Sequence, residues 1–262
     1  MVTPASSGER RVVLITGAAS GIGAATARRF VREGWDVAIN FLDAAQREAA
    51  QALAASAQAP GQRAITIEGD VTRDADCLRL VSGTVEALGR LDALVNAAGI
   101  SKMVAHPKLH DVSAEDFQRI YAVNTIGPFQ MMRAAAPHLK ASGRGAVVNI
   151  SSRAALMGSG SSIPYAASKA ALNALTLALA RVLAPEVRVN AVCPALVEQG
   201  FVERLAPESF AQRRAHQINV SPLKRIGHPD EVAETIHWLI TGASMMTGAI
   251  VELDFGMHLN AV

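Results

Sequence analysis

Seven short runs of nearly continuous apolar residues punctuate the chain, separated by longer stretches of mixed character. They are Val12–Thr16, Asp36–Asn40, Ala64–Glu68, Ala93–Asn96, Ala146–Ser151, Arg188–Val192 and Ile250–Leu253. Runs such as Val-Val-Leu-Ile and Ala-Val-Val-Asn-Ile read as parallel strands covered on both faces. The gaps read as helices. One runs from Ala24 to Glu33, and an alanine-rich one from Ala44 to Ala59 stops at Pro60-Gly61. Ser113 with Asp116 three residues on marks the start of a further long helical region, and Pro229-Asp230-Glu231 places proline and two acids in a first turn. Strand alternating with helix, without repeat or linker, predicts an α/β fold: one doubly wound parallel sheet over residues 11–262, with its ligand crevice at the carboxyl ends of the strands. Residues 1–10 read as a loose polar extension.

The first strand runs into Thr16-Gly17-Ala18-Ala19-Ser20-Gly21-Ile22-Gly23 and then a helix. Glycines there let the backbone turn tightly and approach a pyrophosphate, whose charge meets the free N–H groups of the helix N-terminus. The spacing G-x-x-x-G-x-G differs from the general dinucleotide fingerprint, and a tight loop would look the same. Further on, Tyr165 stands thirteen residues after Ser152, and Lys169 four residues later on the same helix face. A neighbouring ammonium favours a phenolate, so Lys169 is expected to lower the pKa of Tyr165 and make it a usable acid or base.

In this order, the motifs resemble those of the classical short-chain dehydrogenase/reductase family, from Val12 to Gly256. Asp70-Val71 is similar to the family's adenine-contacting pair, Asn96-Ala97-Ala98-Gly99 to its Asn-Asn-Ala-Gly element, and Asn124 to its fourth catalytic position. Asn190 to Ala195, Thr247-Gly248 and Asp254-Phe255-Gly256 resemble its later elements. The resemblance implies a Rossmann-type fold of about seven strands and a hydride-transferring oxidoreductase acting on a carbonyl or secondary alcohol, whether 3-oxoacyl, sugar or simple alcohol. It implies that Tyr165 exchanges a proton with the substrate oxygen, Ser152 hydrogen-bonds that oxygen, Lys169 holds the nicotinamide ribose and tunes Tyr165, and Asn124 anchors a water. Gly17, Ser20, Gly21, Ile22, Gly23, Asn40, Phe41, Asp70, Val71, Asn96, Ala97, Gly99, Pro194 and Val197, with Tyr165 and Lys169, are the expected cofactor contacts. Ala195, Gln199 and Phe255 depart from the family pattern, and Gln199 stands where relatives often place a threonine against the nicotinamide amide or pyrophosphate. A catalytically silent dinucleotide-binding regulator is the alternative, since fold alone does not prove activity.

An acid at the end of the second strand would accept the adenine-ribose hydroxyls and repel a 2′-phosphate. Counted from Thr16 as in relatives, that position is Phe41, which favours NADP(H) over NAD(H), with Asp43 close enough to reverse the choice. The substrate is less legible. Ile100 to Leu109, Arg153, Met157 and the stretch 199–220 are expected around its pocket, where Arg153, Lys102 and Arg204 suggest an anionic group unless they are simply solvated.

Charge is balanced over the 262 residues, with 25 Lys and Arg against 23 Asp and Glu, which gives no case for nucleic acid. Cys77 and Cys193 fit no metal spacing and read as reduced thiols, and seven scattered histidines form no ligand motif, so no metal is expected. The most apolar helix, Ala170 to Ala184, reads as too short to span a bilayer. A cytoplasmic enzyme is expected. The helix after Tyr165 is apolar almost all round and calls for a second packing partner, and the resemblance implies a homo-oligomer, most simply a tetramer, with Met131, Met132 and Ala134-Ala135-Ala136 as a packing surface.

Overall fold

The structure, a computed structural model, describes residues 10–57 and 59–260. The expected extension therefore lies almost wholly outside the described residues. Strands β1 (Val12–Ile15), β2 (Asp36–Phe41), β3 (Ala64–Glu68), β4 (Ala93–Asn96), β5 (Gly145–Ile150), β6 (Val187–Pro194) and β7 (Ile250–Leu253) form one sheet in the order β3-β2-β1-β4-β5-β6-β7, every pair parallel. The chain winds outward from β1 to β3, then returns to β4 and winds the other way. The point of reversal, between β1 and β4, is where a doubly wound sheet opens a crevice.

Side-chain alternation along each strand decides which layer it feeds. Val13, Ile15, Val37, Ile39, Phe41 and Val148 face a core shared with α1 (Gly21–Arg32), α2 (Ala44–Ala54) and, later in the chain, the helix Pro229–Thr241. Val12, Leu14, Ala38, Leu94, Val147 and Val189 face the opposite core, closed by α3 (Asp74–Leu88) and the helices Gly127–Ala141 and Ile163–Leu183. Burial on both sides is why the strands read as continuous apolar runs.

The helix α4 (Ala114–Tyr121) starts at a capping box in which Ser113 and Asp116 satisfy each other's backbone N–H groups. It passes through a π-helical turn, Ala122–Ile126, into α5 (Gly127–Ala141). After β5 come α6 (Ala154–Met157) and α7 (Ile163–Leu183); after β6 come α8 (Phe201–Leu205), α9 (Pro207–Val220) and α10 (Pro229–Thr241). Two helices differ most from expectation. α2 stops at Ala54, short of Ala59, where the Ser56 hydroxyl donates to the Leu53 carbonyl at 2.6 Å and Ala57 N–H turns back to Ala54.

α7 is longer than Ala170 to Ala184. Its 21 residues make it, among those described, the one helix long and apolar enough to cross a membrane by length and composition. Its inner face contradicts a lipid setting. Ser168, Lys169, Asn173 and Thr176 are buried along it, and each has a hydrogen-bond partner within the domain.

Candidate active site

The crevice at the carboxyl ends of the strands has a volume of about 1250 Å³. Its floor is the loop between β1 and α1. Gly17 has φ +60°, and a Cβ there would lie 2.7 Å from the Ala98 Cα; a Cβ on Gly23 would lie 2.4 Å from the Gly17 carbonyl oxygen. Backbone stands so close to backbone that no side chain fits, which leaves the first N–H groups of α1 open to the crevice. Ser20 occupies the N-cap without using its side chain to close them. This cradle, also lined by Gly21 and Ile22, fits a dinucleotide pyrophosphate, and the bound nicotinamide would supply the hydride chemistry.

Asn40 lines the crevice and braces the loop. Its Oδ1 accepts from Gly17 N–H at 3.1 Å, and its Nδ2 donates to the Gly69 carbonyl at 2.9 Å. Asp70, Val71, Ala97, Gly99, Pro194 and Val197 also line the crevice. Two expected contacts lie elsewhere. Phe41 is 3% exposed in the core beneath α1 and α2, because it continues the inward alternation of Val37 and Ile39. Leu42 and Gln46 form the wall at that end instead. Asn96 is turned into the sheet interior, where its Nδ2 donates to Asn149 Oδ1 at 2.8 Å and Asn149 donates in turn to Thr176 Oγ1 at 2.9 Å.

Ser152, Tyr165 and Lys169 meet on one wall. Ser152 follows β5, and its Oγ accepts from Ala154 N–H at 3.1 Å. Tyr165, in the first turns of α7, is 6% exposed with its ring edge-on to Phe201 at 5.3 Å. One turn on, Lys169 donates from Nζ to the Ile150 carbonyl at 2.7 Å and stands 6.0 Å from the Tyr165 ring centre.

Burial dominates both ionisations. It pushes the Tyr165 phenol up to about 12 despite an opposing hydrogen bond from Ser152, and pulls Lys169 down to about 8. The phenol thus lies above its ordinary value, opposite to the lowering expected from the sequence. At neutral pH the wall presents a neutral phenol, a proton donor, with a mostly protonated ammonium behind it.

Asn124 lies behind the wall, fully buried on the π-helical turn. Its amide pairs with Ile100 in both directions at 2.9 Å and donates to Ser168 Oγ at 3.1 Å, while Ser168 donates to the Tyr165 carbonyl at 2.8 Å. Gly99 is the gap between these groups: a Cβ there would lie 3.5 Å from Asn124 Oδ1 and 3.6 Å from Lys169 Nζ.

Over the substrate end arch α8 and α9, contributing Phe201, Arg204, Arg213 and His216. Arg153 and Met157 line the wall as expected, whereas Lys102 pairs with Asp116 at 2.7 Å and does not reach the crevice. Gln199 is left-handed at φ 55° and holds its carbonyl oxygen 3.6 Å from where a Gly21 Cβ would stand, bringing this cover down on the glycine loop. Apart from the residues that line the crevice, ligating atoms of Glu252, Asp254 and His258 fall within 4.8 Å of one another, a cluster that sequence spacing does not reveal. Asp254 is already engaged by the N–H groups of Gly256 and His258 and by the His258 ring.

A doubly wound sheet with a glycine-rich first turn and a Ser–Tyr–Lys wall defines a nicotinamide-dependent oxidoreductase. Comparison with known proteins agrees. Residues 17–258 match the family model described as enoyl-(acyl carrier protein) reductase. The chain is 40% identical to the granaticin polyketide synthase putative ketoacyl reductase 2 of Streptomyces violaceoruber over 96% of this chain and 97% of that one. It is 35% identical to L-fucose dehydrogenase of Bos taurus over 95% and 90%. A putative short-chain dehydrogenase/reductase from Burkholderia xenovorans superposes with a TM-score of 0.88 at 42% identity, covering 95% of this chain and 98% of that one. The chain belongs to the short-chain dehydrogenase/reductase family and is an oxidoreductase acting between carbonyl and alcohol groups.

Proposed function

We propose that residues 11–262 act as one NADP(H)-dependent carbonyl reductase in which Tyr165 donates the proton. The observation that carries this reading is the meeting of Ser152, Tyr165 and Lys169 on one crevice wall, where burial raises the Tyr165 phenol and keeps its proton. Ser152 holds the substrate oxygen, Lys169 fixes the ribose and sets positive charge beneath the phenol, and Asn124 holds the Ile100 and Ser168 segments in register behind them.

NADP(H) is favoured because the β2 end of the crevice offers Leu42 and Gln46 and, among the described residues, no carboxylate from that strand or its turn. Asp43 is occupied as the N-cap of α2, accepting from Ala45 N–H at 3.1 Å. Reduction of neutral and anionic ketones, followed at the absorbance of reduced nicotinamide with both cofactors, tests the reading. Larger kcat/KM with NADPH is expected, with loss of turnover in Tyr165→Phe. Cofactor binding without turnover of any ketone would instead favour the silent regulator.

A tetramer in the cytoplasm completes the proposal. Met131, Met132 and Ala135 do not supply the packing surface expected of them, since they are buried against the sheet. Phe117 of α4, Phe129 of α5 and Leu177 of α7 are exposed instead and supply apolar faces for a second copy. The buried free thiols Cys77 and Cys193 suit a reducing compartment.

A further inference from the structure

Charge is distributed unevenly along the crevice. Among the described residues that line it, Asp70 is the only carboxylate, and it lies at the adenine end. The substrate end carries Arg153, Arg204, Arg213 and His216. Arg153 already has a counter-ion, with Nε 3.5 Å from Asp254 Oδ2.

Arg213 does not. It is half-buried on α9, and among the described residues it forms no ion pair. Its two terminal nitrogens share a single acceptor, the Gly160 carbonyl, each at 3.3 Å, while Nε donates to Ser209 Oγ at 3.1 Å. Shared bonds of that length are weak, and a guanidinium has five N–H groups, so its fork retains donors for a ligand. The position is close to the chemistry as well: a Cβ on Gly160 would lie 3.8 Å from Tyr165 Cδ1. Arg204, exposed on α8, likewise forms no ion pair among the described residues.

A planar guanidinium fork matches the oxygens of a carboxylate or phosphate. Placed in a crevice wall without its own carboxylate, it gains most from a ligand that brings one. We propose that Arg213, assisted by Arg204, binds an oxyanion on the substrate, so that the preferred ketones carry a carboxylate or phosphate beyond the reacting carbonyl. This rests on the carbonyl-reductase reading above.

The test uses the full chain and two matched pairs: an oxo acid with its methyl ester, and a phosphorylated hydroxyketone with its unphosphorylated parent. In at least one pair the anionic member is expected to have a kcat/KM higher by roughly tenfold or more, chiefly through KM, and the pair that shows it identifies the oxyanion. Arg213→Gln should lower that preference by roughly tenfold. As a reading independent of turnover, a non-reducible carboxylate or inorganic phosphate, added with the cofactor, should raise the melting temperature of the unmodified protein more than that of Arg213→Gln.

Equal or better use of both neutral partners would overturn the inference while leaving the reductase reading intact. An unchanged preference in folded Arg213→Gln would overturn the assignment to Arg213. If that variant does not fold, the ratios measured on the unmodified protein decide alone. No turnover of any ketone, neutral or anionic, would overturn the reductase reading and this inference with it.

Discussion

Lys169 donates its ammonium to the backbone carbonyl of Ile150 at 2.7 Å, so its charge is fixed inside the wall of the crevice rather than offered to solvent. Burial draws its ionisation from 10.5 down to about 8. A lowered pKa means that the unfolded chain holds this proton more tightly than the folded one. Stability is therefore lost as pH falls from 10.5 through 8, and below that the full cost applies, about 3 kcal/mol. Urea unfolding of the unmodified protein and of Lys169→Met at pH 7 and pH 9.5 should show the variant's relative advantage shrinking with rising pH. A difference independent of pH would place the proton elsewhere.

Tyr165→Phe removes the donor hydroxyl and little else, because the ring keeps its contact with Phe201. Turnover should fall by roughly a hundredfold or more, with cofactor affinity changed by no more than a few-fold. Single-turnover kinetics together with cofactor titration reads both. Retention of more than about a tenth of the rate would exclude Tyr165 as the acid.

Cofactor choice should respond at Leu42 and not at Phe41. Leu42→Asp places a carboxylate at the exposed crevice wall, where it accepts ribose hydroxyls and repels a phosphate, shifting kcat/KM toward NADH. Phe41→Asp buries a charge in the core beneath α1 and α2 and should cost about 3 kcal/mol or more. Steady-state kinetics and thermal melts of the pair separate the two outcomes, and a soluble, stable Phe41→Asp with altered preference would reverse the assignment.

Asn40→Ala deletes the acceptor of Gly17 N–H and leaves the Gly69 carbonyl without its side-chain donor. Stability should fall by about 2 kcal/mol. The loosened glycine loop should raise the dissociation constant for cofactor by roughly tenfold. Denaturant melts and cofactor titration check this, and unchanged affinity would show that the loop needs no brace.

Light scattering during size-exclusion chromatography should give a mass near four chains at micromolar concentration. Leu177→Glu on the exposed face of α7 should lower it. A single-chain mass in the unmodified protein would exclude the proposed assembly.

The strands and the glycine loop were legible because both depend on local rules: continuous apolar runs for a sheet buried on both faces, and glycines where backbone meets backbone. Phe41 shows how a count from a motif misleads when the alternation of the strand is ignored. Val37, Ile39 and Phe41 share one face, and that pattern was already present in the sequence. The same rule puts Asn96 beside Leu94, facing the layer where Asn149 and Thr176 wait. Arg213 was not legible, since nothing local says that a residue on α9 folds back to the Gly160 carbonyl fifty-three residues earlier in the chain. The direction of the Tyr165 shift was hidden for a similar reason. Burial is set by the whole fold, and it is the largest influence on the phenol.

The two extremes of the crevice are built from different segments: the turn after β2 and the first turn of α2 at one end, with Leu42 and Gln46, and the α8–α9 cover at the other, with Arg204 and Arg213. Substitutions at one extreme leave the other's contacts in place. Under the proposed assignments, the source of reducing power and the choice of molecule to be reduced are thus two separately adjustable properties of one chain, open to separate revision by selection or by design.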